Sequence, residues 1–339
     1  MKKFFAVLFS FLMILSLNGC GKVQLGLTSH TDVAMGTVIN LKIYSTDNKN
    51  YAEEVMGLLR ELEEKELSVR AGSSEAAYVN ANAGSDAVPV SAQFGELIGR
   101  CLEVGDRSDG ALDVTLGNVV KLWNIDSLAG GEAVDFQLPD ESALESALAS
   151  CGNDKIGLSE ERDQISLRAD TALDLGAVGK GIALDRVRAY LQEQDGITGA
   201  VISVGGSVLT YGSKPDGTDW KVGITDPFDT GKVLGYLTLA GTHCISTSGD
   251  YERYVEKDGV RYHHIIDPHT GYPARSGLSS VTILSEDGFL SDALSTACFV
   301  LGSERGLTLA TEYGCEALFV TTEGELLMTE GFRQLFGSK

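Results

Sequence analysis

The hydrophobic pattern divides the chain into short alternating runs and longer stretches of helical period. Residues 31–44 alternate apolar and polar positions as a strand does. Met35-Gly36-Thr37 interrupts them, and a glycine inside such a run predicts a bulge or a close backbone approach. Residues 50–67 and 91–107 recur at helical period, the second with Phe94, Leu97, Ile98, Cys101, Leu102 and Val104 along one face. A short helix is predicted over residues 141–149, a small hairpin from residues 155–158 and 164–167, and a helix from about Val178 to Gln194. Strand-like runs then follow closely at 201–204, 208–211, 220–224 and 233–239, with turns at Gly205-Gly206, Pro215-Asp216-Gly217 and Asp226-Pro227.

The most distinctive stretch, residues 245–273, reads in its middle as a hairpin. Residues 251–256 and 260–266 carry aromatic and β-branched side chains, and Asp258-Gly259 between them is a two-residue turn signal. Helices at 288–301 and 304–313 and a terminal hairpin at 317–328 complete the pattern. Consecutive strands joined by short turns predict an antiparallel sheet, so the fold class is α+β: mainly antiparallel sheet flanked by helices.

Charge and composition narrow the partners. Acidic residues outnumber basic ones 48 to 27, a formal charge of −21 over 339 residues. That argues against a nucleic-acid partner, which needs a basic footprint. An anionic ligand would have to be held by local cations. At the N-terminus, Lys2 and Lys3 precede an apolar run at residues 4–17, and Leu17-Asn18-Gly19-Cys20 resembles a bacterial lipobox. The expectation is a lipoprotein leader over residues 1–19, lipidation at Cys20, a tether over residues 20–31 and a folded domain over residues 32–339. The chain would then be anchored to a membrane outside the cytoplasm. The other five cysteines are widely spaced and form no CxxC pair; Cys101 and Cys298 sit in apolar helical patterns that predict buried free thiols.

Candidate chemistry gathers in three places. The ends of the 245–273 stretch are dense in small polar groups: Ser246, Thr247, Ser248, Gly249 and Asp250 on one side, His264, Asp267, His269 and Thr270 on the other. Pairing the strands brings those ends together. At residues 174–180 a glycine-containing turn enters a helix whose free amides, with Lys180 in the first turn, favour an anion. This segment matches neither GxGxxG nor the P-loop. In the helix at 288–301, Asp292 and Thr296 share one face four residues apart, among small and apolar neighbours. A carboxylate there needs a partner: either a local hydrogen bond or a hard cation such as Mg²⁺. Asp113, between apolar Leu112 and Val114, is either a turn cap or a ligand contact. A zinc site from His263, His264 and His269 is the weaker option, because their spacing matches no familiar site.

Five stretches in order resemble the ApbE-type FAD:protein FMN transferases: Met35-Gly36-Thr37, residues 110–115 (G-A-L-D-V-T), residues 173–181 (L-D-L-G-A-V-G-K-G), residues 245–273 and residues 290–297 (L-S-D-A-L-S-T-A). The resemblance covers nearly all the chain after its first thirty residues. It implies one large ApbE-like, T-fold-related domain. It also implies Mg²⁺-dependent transfer of the FMN moiety of FAD to a Thr or Ser hydroxyl of an acceptor protein, with release of AMP. The acceptor would carry a D-x-x-S-G-A-T-like motif, as a redox-pump subunit does. On the same footing, Met35, Arg70, Ala111, Leu112, Asp113, Asp174, Lys180 and Ile266 would contact FAD. Ala177 (through its carbonyl), Asp292, Ser295 and Thr296 would surround the metal, Ser295 standing where some relatives have Asp. His264 would be the base. The rival readings are an FAD pyrophosphatase giving FMN and AMP, and a non-catalytic flavin-binding lipoprotein.

Overall fold

The computed structural model describes residues 25–47, 49–124 and 136–338. The leader and Cys20 lie outside the described residues. The frame is one eight-stranded sheet, antiparallel throughout. Its order is Gly26–Ala34, Thr37–Ser45, Ile197–Val204, Ser207–Gly212, His243–Gly249, Leu278–Ser285, Glu316–Thr321 and Leu326–Met328.

The first two strands correct two expectations. Met35 and Gly36 are not a bulge within one strand. They are the two-residue turn of a hairpin, both at positive φ (54° and 66°), and the register runs from Gly26 opposite Ser45 to Ala34 opposite Thr37. That conformation suits the right-handed twist of the paired strands. Residues 26–31, expected in the tether, are therefore sheet residues.

Helices cover one face of the sheet. Tyr51–Leu62 starts at Asn50, whose side chain accepts from Ala52 N, and Ala92–Arg107 starts at Ser91, which accepts from Phe94 N. Gly179–Gln192 and Gly288–Leu301 lie centrally, against the sheet and each other. Ile39, Leu41, Ile43, Ile202, Leu209, Val281 and Ile283 from the strands bury into one cluster with Leu184, Val187, Leu294 and Ala297. A three-stranded sheet of Trp220–Asp226, Asp229–Leu239 and Phe336–Ser338 covers part of the other face. It closes a second cluster of Trp220, Leu237, Ile245, Leu284, Leu318 and Phe332. Full burial of each such side chain is worth about 1.5–3 kcal/mol. Exposed ion pairs contribute about 0–1 kcal/mol, so these two clusters hold the frame.

The predicted hairpin at 251–266 forms as Tyr254–Lys257 and Val260–His263, turning at Asp258 and Gly259, both at positive φ. It is a separate two-stranded sheet standing off the main one. The polar run before it is not a loop: His243–Gly249 is a buried central strand.

Candidate functional site

The site is built where two helices cross. A Cβ on Gly181 would lie 2.2 Å from Gly288 O, and one on Gly288 would lie 2.4 Å from Gly181 O, so only glycine permits this approach. Asp185 ties the crossing by accepting from Gly288 N and Phe289 N, both at 2.8 Å. One turn further along the second helix, this brings Asp292 onto the start of the first. The cap residue Val178 offers no side-chain acceptor, and the Asp292 carboxylate takes that place: Oδ2 accepts from Gly181 N at 2.9 Å. An amide expected to face a ligand is thus already satisfied from within. Asp292 is 1% exposed, and its negative charge meets the positive end of a helix and the Lys180 ammonium, 3.5 Å from Oδ1.

The wall opposite the helices comes from the strand His243–Gly249. Its two-residue period turns Ser246 and Ser248 toward Gly288–Leu301. There Ser246 bonds Ser291 (2.8 Å), and Ser248 bonds Ser295 (2.8 Å) and Thr296 (3.2 Å). Ser295 also donates to the Asp292 carbonyl at 2.9 Å. Ser295 is fully buried with its hydroxyl engaged by two partners, whereas Thr296 retains partial exposure.

His264 follows the hairpin strand, its N–H bonded to Arg253 O (3.0 Å) and its Nδ1 3.3 Å from the same carbonyl. That geometry places the ring proton on Nδ1 and the lone pair on Nε2. Desolvation, then the Lys180 charge, lower its pKa to about 3. Arg253 in turn donates to Gly36 O at 2.9 Å, while Met35 N donates to Glu63 at 2.7 Å. Met35 Cε lies 4.0 Å from a Cβ position on Gly179. The hairpin turn at 35–36, the helix start at 179–181 and His264 therefore frame one space.

A second group lies along the same edge. Asp174 N donates to Val114 O at 2.8 Å, joining the 110–115 loop to the turn that leads into Lys180. Asp174 caps that turn through Gly176 N (2.8 Å), and Asp113 caps its own through Thr115 N (2.7 Å) and Thr115 Oγ1 (2.5 Å). Desolvation raises the Asp113 carboxyl all the same. The side chains of Ala111 and Leu112 are buried in the main core, so their backbone is what a ligand would meet. Ile266 is buried in a satellite cluster with Trp123, and Arg70 is exposed just beyond Leu67, which packs 3.7 Å from the Cβ position of Gly179.

The other two histidines do not join His264. His263 accepts from Ile265 N on Nδ1 (3.3 Å) and donates from Nε2 to Ala274 O (2.9 Å). Burial lowers its pKa to about 4. His269 Nε2 bonds Asp109 O at 3.0 Å, stapling two loops. Among the described residues no group of three His, Cys, Asp or Glu side chains could hold a metal, which removes the zinc reading.

The donors do fit a hard cation. Among the described residues, Asp292 Oδ1 has the 3.5 Å contacts to Lys180 and Ser207 Oγ, at the limit of hydrogen bonding. It is the under-used oxygen of a buried carboxylate. Gly181 N, which could have continued the helix back onto the Ala177 carbonyl, is turned to Asp292 instead. Asp292, Thr296 and the Ala177 carbonyl are thus oxygen donors of the kind Mg²⁺ takes. Residues that sequence reasoning missed complete the setting. Ser207, Glu252 and Arg253 sit at a strand start and in the join to the hairpin, where no local pattern marks them as site residues.

Such a fold and such a site define an α+β ligand-binding domain with a lysine-and-carboxylate centre at a helix start. The ApbE family model matches residues 35–319, and the chain belongs to the ApbE family. It is 34% identical over 337 residues to the FAD:protein FMN transferase of Treponema pallidum, covering 92% of this chain and 89% of that one. It is 36% identical to that of Klebsiella pneumoniae, covering 91% and 93%. The crystal structure of the ApbE protein from Thermotoga maritima superposes with a TM-score of 0.82 at 31% identity, covering 92% of this chain and all of that one. The flavin transferase ApbE from Vibrio cholerae gives 0.80 at 30%, covering 92% and 99%.

Proposed function

We propose that this chain transfers the FMN moiety of FAD to a Thr or Ser hydroxyl of an acceptor protein, using Mg²⁺ and releasing AMP. The observation that carries this reading is the convergence of Lys180, Asp292 and His264 on one space beside the Met35-Gly36 turn. Its relatives bear the name of that activity.

The hydroxyl oxygen attacks the phosphorus on the riboflavin side of the pyrophosphate. The bond from that phosphorus to the bridging oxygen breaks, and AMP leaves with the bridging oxygen. Lys180 binds the anionic pyrophosphate, and His264 takes the hydroxyl proton on Nε2, the ring nitrogen left without hydrogen by the Arg253 contact. In the free protein the Lys180 charge helps keep His264 unprotonated; a phosphate that neutralises Lys180 would raise its basicity toward the range a general base needs. Mg²⁺, held by Asp292, Thr296 and the Ala177 carbonyl, would neutralise charge on the phosphate oxygens.

The test is mass spectrometry of a protein bearing a D-x-x-S-G-A-T motif after incubation with this chain, FAD and Mg²⁺. The expected product is one FMN per motif on its Thr, with AMP released in equal amount and only slowly without acceptor. Rapid FMN and AMP production without acceptor, and no covalent product with it, would assign the site to FAD hydrolysis.

A further inference from the structure

Glu252 has no role in the scheme above, yet it faces its centre. It lies between the His243–Gly249 strand and the hairpin, next to Arg253, and its carboxylate reaches back over the Gly205-Gly206 turn. A Cβ on Gly206 would stand 2.6 Å from Glu252 Oε1, which places the carboxylate directly over that glycine. The following residue, Ser207, directs its hydroxyl to Asp292 Oδ1 at 3.5 Å. Desolvation raises the Glu252 carboxyl most; the Lys180 charge lowers it and the Asp292 charge raises it. The residue is nonetheless exposed.

Asp292 thus lies 3.5 Å from the Lys180 ammonium, and Glu252 stands over the turn that leads into Ser207, whose hydroxyl reaches the same Asp292 oxygen. Arg253, the other nearby cation, is committed to Gly36 O. Lys180 can offset one of the two charges. The helix Gly288–Leu301 provides no second carboxylate on the site, since its neighbouring Ser295 is buried and bonded to Ser248 and the Asp292 carbonyl.

We propose that Glu252 supplies the second carboxylate of the divalent-cation site, facing Asp292 across Lys180. The proposal rests on the Mg²⁺ reading above and adds a consequence. One carboxylate comes from the helices and the other from the join to the hairpin, so cation binding would clamp the hairpin onto the helices and hold His264 over the phosphate.

The probe is Mn²⁺, followed by loss of the free-ion EPR signal on titration with the full chain, alone and with saturating ADP, which carries a pyrophosphate. Glu252→Gln should weaken Mn²⁺ about tenfold or more, because affinity for hard cations follows the number of charged ligands. Asp292→Asn should weaken it at least as much. Glu252→Gln is nearly isosteric at an exposed position, and its melting temperature in EDTA should match that of the unaltered chain. If Glu252→Gln binds Mn²⁺ normally while Asp292→Asn does not, Glu252 is not in the site. Normal Mn²⁺ affinity with altered ADP affinity would mean that Glu252 acts on Lys180 alone, and also overturns the proposal. If neither substitution changes Mn²⁺ binding, or the unaltered chain binds none, the metal reading itself fails.

Discussion

The helical floor and the hairpin wall of the site are built by opposite rules. The floor is over-determined: Gly181 and Gly288 lock in backbone contact, Asp185 and Asp287 cap the second helix, and Asp292 caps the first. Most of Gly288–Leu301 is buried, ten of its 14 residues. The wall, Tyr254–Lys257 with Val260–His263, pairs only with itself. It is anchored by Arg253 to the Met35-Gly36 turn, by the edge of the His263 ring on Phe299, and by the satellite cluster around Trp123. Lys180 and Asp292, which bind charge, stand on the rigid part. His264, the proposed base, stands on the part with fewer ties. Elements that move in function come from the less stable end of a structure.

If that division is right, damage to the wall should cost turnover and damage to the floor should cost stability. The largest expected effect is His264→Ala. Transfer kcat should fall about 10²–10⁴-fold, the usual contribution of a general base, while the Kd for FAD changes far less. Stopped-time measurement of AMP release alongside fluorescence titration of FAD separates the two. A loss of FAD affinity as large as the loss of kcat would make His264 a binding group and erase the contrast.

A pair of glycine substitutions tests the floor. Gly181→Ala forces a methyl into the helix crossing and should cost about 1–3 kcal/mol, read from urea unfolding. It should also weaken Mn²⁺ binding by displacing Asp292. Gly259→Ala, in the hairpin turn with open space around it but φ at +75°, should cost about 1 kcal/mol and leave Mn²⁺ affinity unchanged. Equal effects of both on the metal would show that floor and wall are one unit.

The smallest effect is on the pH dependence of stability. His263 and His264 are held unprotonated to about 4 and about 3, against 6.5 when unfolded. As pH falls below about 6.5 the unfolded chain gains protons that the folded chain refuses, so these groups lower stability progressively down to about pH 4. Asp185 and Glu252, whose carboxyls are raised, work the other way in the same range. His263→Gln should therefore flatten the acid-side loss seen in melting temperature against pH. An unchanged slope would mean that His263 is not the wall's pH-sensitive anchor.

By itself the sequence determined the local elements and the family. The period of residues 91–107, the Asp258-Gly259 turn, the start of a helix just before Lys180 and the whole span of Gly288–Leu301 were legible, because local propensity and hydrophobic period decide them. The motifs singled out Asp292, Thr296, Lys180 and His264, and the fold brings Lys180 within 3.5 Å of Asp292. Other features were decided by tertiary structure alone. Leu278–Ser285 is buried on both faces, so it lacks the alternation that marks a strand. Residues 245–249 show only a run of small polar groups, because nothing local reveals that Ser246 and Ser248 find partners on a helix more than forty residues away. Met35-Gly36 became a hairpin turn only once residues 26–34 had a strand to pair with. The seat of the Glu252 carboxylate over the Gly205-Gly206 turn depends on how the hairpin leaves the sheet. No window of sequence contains that relation, because contacts between distant segments are set by packing and not by neighbours along the chain.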